Sequence, residues 1–310
     1  MLKSKISILG ATGHIGKNLS YYFSKEENFE LFLFVRDERN LEKILAPYES
    51  KNNFSIRKYD EFNDSRYDAV INCVGLSNPA DIAVAEEEEE SLETTETFDV
   101  LTLEYLKNFP KTKLINFSSG AVYGGQFSSP IKNTSLIDEN FNCMNIKSKY
   151  ILSAIRSEIK HRTLKNLNII DLRLFSFFSR FINLDTKFLI CEMVSSIMQN
   201  KKFLTDETDF YRDYIHPKDL FSYVKKCIYG DSLNDVFDLC SKRPIGKFEL
   251  LNFLKEKYGL QYEIEPGVKF SNPTGFKRNY YSESRKAESL GHKPEYSSMD
   301  TISDELSFII

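Results

Sequence analysis

Gly10-Ala11-Thr12-Gly13-His14-Ile15-Gly16 is the stretch of this chain whose residue types and spacing most directly define a chemistry. It follows the short apolar run Ile6-Ser7-Ile8-Leu9 and opens a segment, Ile15 to Ser24, patterned as a helix. In that setting Gly10 permits a tight turn, Gly13 lets the backbone approach a pyrophosphate, and Gly16 lets the helix pack closely on the sheet. The helix N-terminus offers free N–H groups and a positive dipole end to phosphate oxygens. Gly10, Thr12, Gly13, His14, Ile15 and Gly16 are therefore the candidate contacts to a dinucleotide. A second choice falls at the end of the next apolar run, Leu31 to Val35. A carboxylate there binds the ribose hydroxyls of NAD, whereas an arginine accommodates the 2′-phosphate of NADP. Arg36 comes first, before Asp37 and with Arg39 nearby, so charge complementarity predicts NADP, with NAD as the other option.

These residues need strands and helices to hold them, and the first half of the chain alternates the two. Further strand patterns cover Ser55 to Tyr59, Ala69 to Val74, Leu114 to Phe117 and Ile169 to Phe175. Val100, Leu101, Leu103 and Leu106 recur at helical spacing, which predicts a helix over 100–109, and the acidic run Glu86 to Glu90 reads as a solvated helix face or loop. Continuous apolar strands alternating with helices predict an α/β fold, a Rossmann-like doubly wound parallel sheet. Beyond residue 180 the pattern is mixed, with helices expected near 186–200, 217–229 and 246–258 and a loop from Pro266 to Gly275. The expected division is a dinucleotide-binding unit over 1–180, to which a strand near 236–241 returns, and a smaller C-terminal substrate lobe over 181–310.

The bulk composition of the 310 residues narrows the class. The chain is 41% hydrophobic and 28% charged with a net charge of -4, which gives no electrostatic case for nucleic acid or an anionic membrane. No apolar run is long enough to span a bilayer and no signal-peptide pattern opens the chain. The five cysteines are odd in number and form no CxxC pair, and the four histidines are isolated, so neither a disulfide framework nor a metal site is expected. The expectation is a cytoplasmic, metal-free protein, with a homodimer as one assembly open to it.

The GxxGxxG spacing resembles the short-chain dehydrogenase/reductase superfamily. Other segments match in order: Asp60 is expected to end the third strand, where members place an acid against the adenine, and Asn72-Cys73-Val74-Gly75 matches the fourth-strand end that lines the cofactor. Phe117-Ser118-Ser119-Gly120-Ala121-Val122-Tyr123-Gly124 resembles the active-site strand end of the extended branch, which contains sugar-nucleotide epimerases, dehydratases and ketoreductases. The resemblance implies that Ser119 hydrogen-bonds the substrate oxygen. It also implies a Tyr-x-x-x-Lys helix, in which tyrosine exchanges the proton and lysine lowers its pKa and binds the nicotinamide ribose. Ser148 and Lys149 match that helix, but Asn145 occupies the tyrosine position. An amide donates or accepts hydrogen bonds but does not exchange a proton at useful pH.

Tyr150 lies five residues from Asn145, about 140° around a helix, and is expected to point elsewhere. Tyr123 and Cys143 are the other groups within sequence reach of the substrate. Gly120 and Ala121 stand where dehydrating members carry an Asp-Glu pair, which argues against dehydration. Arg212-Asp213-Tyr214-Ile215-His216-Pro217-Lys218-Asp219-Leu220 resembles the branch's substrate segment and implies that Arg212 contacts a nucleotide diphosphate, the alternative being an internal Arg-Asp ion pair. Val236 to Ser241 and Thr274-Gly275-Phe276-Lys277 resemble the branch's later strand and C-terminal loop. The resemblance implies an NAD(P)-dependent oxidoreductase of a nucleotide-linked sugar, foremost a 4-ketoreductase of surface polysaccharide synthesis. A redox-neutral epimerase, or a catalytically impaired protein that binds cofactor or sugar nucleotide, are the alternatives.

Overall fold

The computed structural model describes residues 3–36, 39, 53–75, 85–124, 127–133, 149–267 and 277–310, with backbone alone at 85–92 and 149–150. In chain order the first elements are β1 (Ser4–Leu9), α1 (His14–Ser24), β2 (Phe29–Phe34), β3 (Phe54–Arg57), β4 (Ala69–Asn72), α2 (Ala85–Asn108), β5 (Lys113–Ser119), α3 (Lys149–Thr163) and β6 (Asn168–Leu174). There follow β7 (Ser176–Phe177), α4 (Leu189–Met198), β8 (Phe203–Thr205), β9 (Tyr211–Arg212), β10 (Tyr214–Ile215), α5 (Pro217–Tyr229) and β11 (Asn234–Asp238). The last are β12 (Ile245–Gly246), α6 (Lys247–Tyr258), β13 (Tyr262–Ile264), β14 (Asn279–Tyr280) and α7 (Ser298–Leu306).

Seven strands form one sheet in the order β11-β6-β5-β4-β1-β2-β3, and every neighbouring pair is parallel. The fold is thus the Rossmann-like doubly wound α/β class. The order reverses between β1 and β4, and a crevice at the carboxyl ends of the strands is where such sheets bind ligands. Strand alternation gives each face its own apolar layer. Ile6, Ile8, Leu31 and Leu33 pack with Leu19, Phe23 and Val224 under α1 and α5. Phe32, Phe34, Val70 and Leu114 pack with Leu103 and Leu106 of α2 on the other face. A second core gathers Phe178, Met193, Val194, Phe203, Leu251, Leu254 and Ile302 from the C-terminal elements.

Two element expectations needed correction. The helix expected over 100–109 extends back to Ala85, because its glutamate-rich first half follows helix propensity without an apolar stripe to announce it. The strands of two or three residues after Leu174 have no readable period; they form two strand pairs, β10-β7 and β13-β8, and a three-stranded sheet β12-β9-β14 that carries Arg212 and Tyr280 side by side.

Candidate active site

The glycine loop joins β1 to α1 at the point of strand-order reversal. Gly10 has φ 71°, and a Cβ there would lie 3.1 Å from the Cys73 backbone at the end of β4. A Cβ on Gly16 would stand 2.2 Å from the Gly10 carbonyl oxygen. Gly13 is the N-cap of α1 and supplies no side-chain cap, which leaves the first-turn N–H groups for an anion. This cradle, which side chains at positions 10 and 16 would fill, fits the pyrophosphate of a dinucleotide. Tyr59 closes it from the far side of β2, where its hydroxyl accepts the Gly10 N–H at 3.2 Å.

The candidate cofactor residues differ in how they sit. Thr12 and Ile15 are half-buried in the loop and the first turn. His14 turns its side chain inward: Nε2 lies 2.8 Å from Ser179 Oγ and the ring packs 4.7 Å from Phe177. Burial and the Lys17 charge hold the imidazole down to about 3, so His14 is neutral, with its side chain committed to Ser179 and Phe177 and only its backbone N–H left at the helix start. Arg36 is exposed just past β2, while Asp37 lies outside the described residues. Asp60 does not end β3, which stops at Arg57; it is exposed in a 3-10 turn over Tyr59–Asp64. Cys73 and Val74 are half-buried beyond β4 and Gly75 is exposed. Burial pushes the Cys73 thiol up, which makes it a packing group rather than a nucleophile.

Ser118 and Ser119 end β5, and alternation sends them to opposite faces. Ser118 Oγ donates to Glu158 of α3 at 2.6 Å. Ser119 Oγ caps the 3-10 turn Gly120–Tyr123 by accepting the Ala121 N–H at 3.1 Å, and lies 3.3 Å from the Tyr280 hydroxyl. A Cβ on Gly120 would fall 2.4 Å from the Phe175 ring, so a larger residue at this position, the carboxylate of a dehydrating enzyme included, would have to displace that ring.

The Tyr123 hydroxyl is committed elsewhere. It donates to Asp238, at 3.0 Å from either oxygen, and accepts from Arg173 at 2.7 Å. Burial and the Asp238 charge push this phenol up, against the pull of Arg173. Glu158 and Ser282 complete the buried cluster around it, so its post is structural. Asn145 and Cys143 lie outside the described residues. Lys149 begins α3, with its backbone alone described.

Beneath these strand ends runs a polar ladder without counterpart in the sequence reading. Asn72 of β4, Asn116 of β5 and Asp171 of β6 are in register. Asn72 donates to Asn116 at 2.9 Å and Asn116 to Asp171 at 2.7 Å. His161 continues the chain, with Nδ1 3.0 Å from Asp171 and Nε2 2.7 Å from Asp99. Burial alone would lower the imidazole, but hydrogen bonds and charge from the two carboxylates outweigh it and raise His161 to about 9. A cavity of about 40 Å³ lies between this ladder and the cofactor side, lined by Val74, Gly75, Asn116, Ser118 and Ser153 among others.

On the substrate side, Arg212 donates to the carbonyls of Tyr211 and Lys277, both at 2.8 Å. Asp213 faces away and accepts the Ser241 N–H at 3.0 Å and the Ser298 hydroxyl at 3.2 Å. The Asp213 carboxylate is thus taken up by Ser241 and Ser298 rather than by its neighbour Arg212. Lys277 Nζ sits 4.4 Å from the Tyr280 ring centre, and burial together with the Arg212 charge pushes it down to about 8. Tyr59, Tyr280 and His161 are thus site neighbours that the sequence did not announce. No local motif marks either tyrosine; for His161 the available signal was Glu158 and His161 on one helix face opposite the acidic residue of a buried strand.

Comparison with known proteins extends the geometry. The model of the NAD dependent epimerase/dehydratase family matches residues 6–229. A curated relative, the GDP-6-deoxy-D-talose 4-dehydrogenase of Aggregatibacter actinomycetemcomitans, is 22% identical over 314 residues, covering 97% of this chain and 96% of that protein. Among solved structures, the UDP-N-acetylglucosamine 4-epimerase of Methanobrevibacter ruminantium M1 in complex with UDP-N-acetylmuramic acid superposes with a TM-score of 0.81 at 16% identity, covering 100% of this chain and 99% of that one. The UDP-glucuronic acid 4-epimerase of Bacillus cereus in complex with UDP-glucuronic acid and NAD gives 0.80 at 16% identity, with 98% of each chain covered. These likenesses share the fold, and the family match takes in the glycine loop, the Ser119 strand end and the Arg212 segment. The chain belongs to the NAD dependent epimerase/dehydratase family and is an enzyme of that family.

Proposed function

We propose that the protein transfers a hydride at C4 of a nucleotide-linked sugar, acting foremost as an NAD(P)-dependent 4-ketoreductase. The observation that carries the reading is the parallel sheet itself. It brings the Cβ-free phosphate cradle of β1 and the Ser119 hydroxyl of β5 to the same edge, separated only by β4. The steric closure at Gly120 supports oxidoreduction or epimerisation over dehydration. A 4-dehydrogenase among the relatives supports chemistry at C4, since dehydrogenation and ketoreduction are one reaction in opposite directions.

The first-turn N–H groups of α1 hold the pyrophosphate, Asp60 meets the adenine, and Lys149 takes the nicotinamide ribose. Bound there, the dinucleotide supplies or accepts the hydride. Ser119 donates a hydrogen bond to the sugar oxygen at the reacting carbon. Arg212 clamps the diphosphate with the guanidinium edge left by its carbonyl contacts. Arg36, exposed at the exit of β2, meets a 2′-phosphate and favours NADP, although the B. cereus neighbour is in complex with NAD.

A second reading, a 4-epimerase that reuses its own NAD, is favoured by the two neighbours above, whose names are those of 4-epimerases. Oxidation of NADPH and NADH with UDP-, dTDP- and GDP-linked 6-deoxy-4-keto sugars tests the proposal. Turnover with at least one, faster with NADPH, is expected. Binding without turnover across the whole panel, with activity appearing only in Asn145→Tyr, would show a binding protein on an enzyme scaffold.

A further inference from the structure

We propose that the Tyr280 hydroxyl is the proton donor at the sugar oxygen, working beside Ser119 in the role that Asn145 does not perform. The proposal rests on the C4 chemistry above and adds the residue which that chemistry lacks. Reduction of a ketone needs a hydride at carbon and a proton at oxygen, and an amide at position 145 has no proton to exchange. The Tyr280 phenol has one, and its oxygen stands 3.3 Å from Ser119 Oγ. An oxygen bound by Ser119 is within hydrogen-bonding reach of both groups.

The placement is built rather than incidental. The Tyr280 ring is held edge-on by Phe127, at 4.9 Å and 67°, and by Phe175, at 5.4 Å and 62°. Phe175 is also the ring that closes over Gly120, so one aromatic wall fixes both the serine strand end and the tyrosine. Parallel pairing of β14 with β9 sets Tyr280 opposite Arg212, whose guanidinium carbon lies 5.7 Å from the ring centre, and Lys277 Nζ lies 4.4 Å from it. Two cations beside a phenol stabilise the negative charge that develops as its proton leaves. The family arrangement implied by the sequence resemblance sets one lysine beside a tyrosine on one helix. Here the cation-flanked tyrosine comes from the C-terminal lobe and reaches the same serine. In reduction the carbonyl carbon takes the hydride, the carbonyl oxygen takes the Tyr280 proton, and water reprotonates the phenolate. Oxidation runs the same transfers in reverse.

Tyr280→Phe keeps the ring contacts and removes only the hydroxyl. The assay reads single-turnover nicotinamide absorbance with UDP-glucose, dTDP-glucose, GDP-6-deoxy-D-talose and the 6-deoxy-4-keto sugars, so that reductase, dehydrogenase and epimerase are all detected. The expected result is a fall in kcat of about 10²- to 10⁴-fold with KM within about threefold, and with melting temperature and NADH titration unchanged. A calorimetric readout is independent of turnover. The wild type is expected to prefer UDP-glucose or GDP-6-deoxy-D-talose over the 4-deoxy analogue, and Tyr280→Phe to narrow that preference by about two- to threefold, keeping the part that Ser119 supplies. A variant rate within twofold of wild type, or a loss carried wholly by KM, overturns the role of Tyr280 and leaves the C4 reading standing. Absence of any hydride transfer by the wild type overturns that reading, and this role with it.

Discussion

At the scale of single residues, the site is governed by what side chains are missing as much as by those present. Gly16 has no room for a methyl group, since its Cβ would stand 2.2 Å from a carbonyl oxygen. At Gly120 it is the Phe175 ring that a Cβ would meet, which crowds the position where the sequence resemblance places a dehydratase's Asp. Arg36 tests the opposite case, a residue whose presence selects. On the proposed reading its exposed guanidinium at the exit of β2 would add a charge-assisted contact to a 2′-phosphate and a weaker one to a free hydroxyl. Arg36→Ala is therefore expected to weaken NADPH by about 10-fold or more and to leave NADH within about twofold, read by fluorescence titration. Equal weakening of both would place the phosphate elsewhere.

At the scale of elements, three adjacent strands, β4, β5 and β6, carry a polar ladder through an otherwise apolar layer. Asn72, Asn116 and Asp171 share a register, and α3 seals the end with His161 between Asp171 and Asp99. Folding raises His161 from an ordinary 6.5 to about 9, so the bound proton stabilises the native state. That contribution is full below about pH 6.5 and is lost as pH climbs through about 9. Melting temperature is expected to fall across that window in the wild type, and His161→Gln is expected to melt lower at pH 6 but with a flatter slope toward pH 9. An equal slope in both proteins would mean that other groups carry the loss.

The elements also mark what the sequence could disclose. The strand, glycine turn and helix over 4–24 were readable because their causes are local: an apolar run, three spaced glycines and an open helix N-terminus. The long strands were readable because burial on both faces leaves continuous apolar runs. The ladder was not, since a single asparagine in a strand says nothing of its partner until register is fixed. Nor was the meeting of Ser119 with Tyr280, which are 161 residues apart and joined through a two-residue strand too short to show a period.

At the scale of the whole molecule, two cores share few but well-defined ties. Arg180 donates to Glu305 at 2.7 and 2.9 Å and fastens α7 to the segment that leaves the sheet. Ser179, one residue earlier, receives the Asn18 amide of α1 at 2.8 Å and meets the His14 ring at the same distance. His14 is the first residue of the helix whose N-terminus the proposed function assigns to the phosphates. If α1 holds the dinucleotide and residues 177–179 border the sugar nucleotide, as the proposed function implies, these contacts at Ser179 would couple the two ligands. Equilibria joined in this way are reciprocal: whatever factor the dinucleotide adds to the affinity for the sugar nucleotide, the sugar nucleotide must return to the dinucleotide. Ser179→Ala, which removes the hydroxyl that joins His14 and Asn18 to this segment, is expected to shrink that factor equally in calorimetric titrations run in both orders. An unchanged factor would show that each ligand enters without consulting the other.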